Sequence, residues 1–99
     1  MRPRGPLKLE DKILTLHPQG KRGVKISRAK FDTVRASLLK VLRGRALSHA
    51  ELTAAVEKDL AGRFDGSIPW YMESVKLDLE ARKTIRRVKD AAVERYEIA

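Results

Sequence analysis

The sequence predicts a small α+β domain, mainly helical, in which three helices lead into a C-terminal β-hairpin and a basic N-terminal arm precedes them. Three observations carry this reading. Apolar residues recur at helical spacing in three successive windows, each opened by a serine able to cap a first turn. Two short β-prone runs joined by a tight turn close the chain. The first 26 residues hold three of the four prolines and three of the six glycines and sustain no period, which makes residues 1–26 an arm and 27–99 the folded domain.

The arm has room for one short strand, around Lys12 to Leu16, and its breakers make His17-Pro18-Gln19-Gly20-Lys21-Arg22-Gly23 a loop. From Ser27 onward Phe31, Val34, Leu38 and Val41, with Leu39 and Leu42 beside them, define a helix that Gly44 stops. Ser48-His49-Ala50-Glu51 has the form of a capping box, and Leu52, Val56 and Leu60 follow at four-residue spacing, so a second helix runs from Ala50 to Ala61. Asp65-Gly66 is a turn, Ser67 caps again, and Pro69 is tolerated in a first helical turn because its missing N–H would be unpaired there. Ile68, Met72, Val75 and Leu79 share one face of a third helix that reaches about Arg82. Ile85–Lys89 and Val93–Ile98, joined by Asp90-Ala91-Ala92, complete the order of a winged helix-turn-helix.

A chain of 99 residues, 42% hydrophobic and 35% charged, has material for one core. Zero cysteines exclude a disulfide framework, a thiolate zinc site and a cysteine nucleophile. The apolar cluster Ile13 to Leu16 is far too short for a signal-peptide core or a membrane span, so the expected location is cytoplasmic, without a membrane partner. The formal net charge is +9. Residues 1–30 contribute +7 of it, nine Lys and Arg against Glu10 and Asp11, which favours a polyanionic partner.

Leu79-Glu80-Ala81-Arg82-Lys83-Thr84-Ile85-Arg86-Arg87 resembles the end of a winged-helix recognition helix, usually Leu-Glu-x-x-Gly followed by an aliphatic pair and basic residues. Lys83 stands at the glycine and Thr84 at the leucine. Trp70-Tyr71 followed by Ser74-Val75-Lys76-Leu77-Asp78-Leu79-Glu80-Ala81 resembles a family of small, functionally uncharacterised bacterial proteins, and the likeness extends from His17-Pro18 to the hairpin. The resemblance implies a winged-helix-like fold, for which DNA binding is usually inferred.

Two functional readings follow. In the first, double-stranded DNA is held mainly by electrostatics: Lys21, Arg22 and Lys25 of the arm, Lys76 and Arg82 of helix three, and Arg86, Arg87 and Lys89 of the wing contact phosphates. A helical wheel argues against helix three as a reader of bases, because Glu73, Lys76 and Glu80 fall on one exposed flank and Asp78 and Arg82 on the other, where the opposite charges pair with one another. The arm, likewise, is equally consistent with a solvated tail. In the second reading, Trp70, Leu77 and Ala81, opposite the core stripe of helix three, form the interface with a protein partner or a second copy, with Trp70 as anchor; the ordinary alternative is that the arm or hairpin covers them. A continuous positive face favours DNA, a broken one with exposed Trp70 the interface.

No enzyme is expected. Gly20-Lys21-Arg22 lacks the spacing and hydroxyl of a phosphate-binding loop. His17 and His49 have no second ligand at metal spacing, no nucleophile elbow or isolated carboxylate pair is evident, and no cofactor is implied.

Overall fold

The structure, a computed structural model, describes residues 11–90 and 92–99. Residues 1–10 of the arm and Ala91 of the turn lie outside the described residues. The described chain is a small α+β fold with three helices and two antiparallel sheets. In order these are β1 (Lys12–Leu14), β2 (Lys25–Ser27), α1 (Arg28–Leu42), β3 (Leu47–Ser48), α2 (His49–Leu60), α3 (Ile68–Ala81), β4 (Ile85–Asp90) and β5 (Val93–Ile98).

The helices begin and end where local chemistry dictates. The Ser27 hydroxyl accepts from the Lys30 amide, and Ser48 and Glu51 form the reciprocal capping box, each side chain accepting from the other's backbone N–H. Ser67 caps α3, with Pro69 in its first turn. At the far end of α3 the Thr84 amide donates to the Leu79 carbonyl at 2.9 Å and the Lys83 amide to that of Glu80 at 3.1 Å. This paired closure requires a left-handed residue, and Lys83 takes it with φ 66°. The lysine therefore occupies a backbone conformation that favours glycine.

Burial follows the helical periods. Phe31, Val34, Leu38 and Leu42 of α1, Leu52, Val56 and Leu60 of α2, and Met72, Val75 and Leu79 of α3 form the core with Ile26, Ile85 and Tyr96. Leu42 rather than Val41 completes the α1 stripe, Val41 being only partly buried.

The sheets hold more than the sequence reading contained. β4 and β5 pair from Ile85↔Ile98 to Asp90↔Val93 as a hairpin, and β3 adds to its other edge through Leu47↔Tyr96 and Ser48↔Arg95, giving the order β3-β5-β4. The segment read as an arm is also paired: β1 and β2 align Ile13 with Ile26, and the Thr15 amide extends the ladder by donating to the Val24 carbonyl at 2.8 Å. Ile26 enters the core, so the body of the fold begins ahead of residue 27. Gly23 makes this pairing possible, since a Cβ there would lie 1.7 Å from the Thr15 carbonyl oxygen.

A Cβ in the left-handed region costs about 1 kcal/mol relative to glycine. Lys83→Gly is expected to raise stability by about that amount, read as a higher denaturation midpoint at unchanged m-value; a loss of stability would contradict the closure described.

Candidate functional site

Two charged residues of α3 lie inside the packing. Asp78 is fully buried and Lys76 is 5% exposed, which corrects the expectation of two exposed flanks. A wheel with one buried stripe fails because α3 is packed against several elements at once. One Asp78 oxygen accepts from the Leu16 amide at 2.8 Å, tying the segment after β1 to the helix, and the other accepts from Arg82 Nε at 2.8 Å. Lys76 Nζ lies 3.1 Å from the Tyr96 hydroxyl, 3.2 Å from His49 Nδ1 and 4.2 Å from the Tyr96 ring centroid. It joins α3 to β5 and to the first turn of α2.

The cations read as a wing cluster are largely engaged. Arg86 meets Glu97 across the hairpin at 2.6 Å. Arg87 points the other way, as alternation in a strand requires; its Nε and Nη2 reach the two Glu80 oxygens at 3.0 and 3.1 Å, with Glu94 at 3.4 Å and the Tyr96 ring at 5.4 Å. These carboxylates raise the Arg87 pKa, the Glu80 hydrogen bonds most of all, against an opposing burial effect. Arg82 is held by Asp78. Lys89, Lys21, Arg22 and Lys25 are exposed and have no ion-pair partner among the described residues.

The opposite side of α3 is apolar and open. Trp70 is 48% exposed, its ring fixed edge-on to Tyr71 at 4.9 Å, while Leu77 and Ala81 are half-buried. Tyr71 in turn meets Phe64 edge-on at 5.2 Å and lies 5.4 Å from Lys30 Nζ. A groove of about 270 Å³ runs between Trp70, Glu73 and Leu77 on the helix and Val24 on the paired N-terminal segment. It continues past Ser74 and Leu77 into a recess of about 70 Å³ bounded by Leu16, His17 and Arg22. The structure therefore places Leu77 between Trp70 in the groove and Arg22 in the adjoining recess, leaves Ala81, Lys21 and Lys25 outside this lining, and recruits Leu16, Val24 and Ser74, which the sequence reading missed. Alternation was the available signal: Thr15 is buried, while Leu14 and Leu16 are 54% and 42% exposed.

Such an arrangement defines a compact helical scaffold presenting an open apolar strip with one cation and one carboxylate on it. The chain belongs to a family of unknown function (DUF6958), whose model matches residues 12–96. No curated protein and no solved structure matches it. Among the described residues no helix is long and apolar enough to cross a membrane.

Two outcomes follow from the buried charges. Asp78→Ala would strand the Leu16 amide and Arg82, with an expected loss of about 3–5 kcal/mol in denaturation and early hydrogen exchange at Leu16. His49 is held below the usual imidazole value, chiefly by burial and then by the Lys76 charge, with Glu73 opposing. The unfolded chain thus binds this proton more readily, so stability is lost as pH falls below 6.5 and the loss levels off under the folded pKa. His49→Gln should flatten the part of a pH–stability profile that falls away below pH 6.5; an unchanged profile would remove His49 as its source.

Proposed function

We propose that this chain is a cytoplasmic protein-interaction module on a winged helix-turn-helix scaffold, without a catalytic step. The element order α1, β3, α2, α3 and a β4–β5 wing supports the scaffold, as does the left-handed residue closing α3. In this scaffold α3 is the helix that would enter a major groove. Its open face carries Trp70, Glu73, Ser74 and Leu77 and no cation of its own, and this observation carries the reading. The partner is a protein surface that inserts an apolar side chain between Trp70, Val24 and Leu77 and offers charges opposite to Arg22 at one end and Glu73 at the other. Half-exposed tryptophan beside aliphatic side chains suits such an anchor, because it buries a large area at small entropic cost.

Duplex DNA is the second reading, favoured by Lys21, Arg22 and Lys25, which have no ion-pair partner among the described residues, and by the net charge of +9. Phosphate contacts of this kind are salt-dependent, each neutralised phosphate adding about 0.9 to the slope of log affinity against log salt.

A photo-crosslinking amino acid placed at Val24, on the groove rim, is expected to give protein adducts in cells, while the same group at the exposed Lys89 position gives few. Duplex titration supplies the contrary arm. Should DNA shield Trp70 from iodide, and should Glu73→Ala tighten duplex binding several-fold by removing a like charge, the groove is a DNA face and the docking reading fails.

A further inference from the structure

Successive side chains of a strand turn to opposite faces. One face of β1 serves the core, with Ile13 packed against it and Thr15 buried just beyond. The other carries Lys12 and Leu14, and Leu16 continues the alternation past the end of the strand. At 54%, Leu14 is the most exposed large hydrophobic side chain among the described residues. Lys25 of β2 lies directly opposite it, and cross-strand partners share a face.

From Lys12 to Lys25 the chain has four Lys and Arg and no Asp or Glu. These cations, Lys12, Lys21, Arg22 and Lys25, are all exposed, and none has an ion-pair partner among the described residues. Asp11, the carboxylate just before them, is held by Arg28 at 3.2 Å. One exposed leucine is ordinary. Two of them, spaced to one side of a strand and set beside cations that nothing neutralises, make an apolar patch with a basic rim. Leu14 lines neither the groove beside Trp70 nor the recess beyond it, so this face stands apart from the docking reading.

A duplex rewards the cations alone, through its phosphates. A bilayer containing anionic lipid rewards both features, because its surface potential attracts Lys and Arg while the boundary between headgroups and acyl chains takes up aliphatic side chains. We propose that the outer face of the β1–β2 hairpin docks on an anionic lipid bilayer, with Leu14 and Leu16 entering the headgroup layer and Lys12, Lys21, Arg22 and Lys25 meeting lipid phosphates. Segment length, which argues against a membrane span, says nothing of a surface contact. The net charge of +9 draws the chain toward such a surface from a distance. With two leucines inserted the contact is weak and reversible, and the cations are required to hold it.

The test is co-sedimentation of the full chain with vesicles of phosphatidylcholine and phosphatidylglycerol, set against phosphatidylcholine alone. Binding to the mixed vesicles at low salt, weakening as salt is raised, is expected, with none to the neutral ones. Leu14→Ser should weaken binding by about tenfold and Lys25→Ala by about fivefold. Circular dichroism should be unchanged in both, since both side chains are exposed. The chain has no cysteine, so Leu14→Cys bearing an environment-sensitive fluorophore reports on the site itself. Its emission should shift to the blue on mixed vesicles, while the same label at Glu57→Cys, exposed on α2, should not.

A chain that ignores anionic vesicles at low salt, or labels that shift equally at both positions, would overturn the proposal. Binding that Lys25→Ala weakens and Leu14→Ser leaves unchanged marks a general polyanion contact, duplex DNA included, and overturns it too. The Val24 crosslinker decides the docking reading separately, whichever of these results is found.

Discussion

Removing a carboxylate from water costs several kcal/mol unless its oxygens are satisfied by well-placed donors. Asp78 meets that condition from two directions, through the Leu16 amide and Arg82 Nε. The first of these bonds fixes the position of the strand segment leading out of β1, and with it the wall of the groove that Val24 and Leu16 provide. The second fixes Arg82 at the end of α3, one residue before the left-handed Lys83 turns the chain into β4. One buried side chain therefore sets both boundaries of the exposed helix face. Lys76 plays a related part on the other flank, where its ammonium gathers Tyr96 of β5 and His49 of α2 around the same helix.

The helices were legible in the sequence because their signals are local. Ser27, Ser48 with Glu51, and Ser67 mark starts within one turn of the groups they satisfy, and the apolar period repeats within a window that the eye can follow. The β4–β5 hairpin was legible for the same reason, its two strands lying next to each other in the chain. β3 was not: two residues show no alternation, and the partner Tyr96 lies some fifty positions away. β2 was hidden by the glycines and cations around it, which suggest a loop until Gly23 is seen against Thr15. The burial of Lys76 and Asp78 was illegible on a wheel, because charge argues for solvent unless the compensating groups are known, and all of these but Arg82 come from other elements. Trp70 and Leu77 could be singled out as an unusual second apolar face, whereas the matching wall from Leu16 and Val24 was passed over, the alternation about Thr15 being its one local sign.

The charge balance illustrates the same division between local and global information. A net charge of +9 describes the field felt at a distance, and it is indifferent to which cations are neutralised at contact range. Arg82, Arg86 and Arg87 look in sequence like a basic cluster at the root of a wing. In the fold each faces a carboxylate from its own helix, the opposite strand or the helix beneath, so this side of the molecule is a set of ion pairs. The surplus is left elsewhere, on the N-terminal loop and on isolated positions such as Lys89.

The bond between Leu16 and Asp78 spans 62 positions in the chain. Its two ends emerge from the ribosome far apart in time, the N-terminal strands first and the carboxylate that secures them only after both α1 and α2 have been made. A two-stranded hairpin is at best marginal in water by itself. During synthesis the segment from Lys12 to Ser27 is thus born early and anchored late, and it spends the interval as an apolar, cationic ribbon without its helix. Chains interrupted before residue 78 would lack the helix against which Ile13, Thr15 and Ile26 are covered in the finished fold, so the length of nascent chain at which this ribbon docks sets the period in which the protein most needs protection from its neighbours.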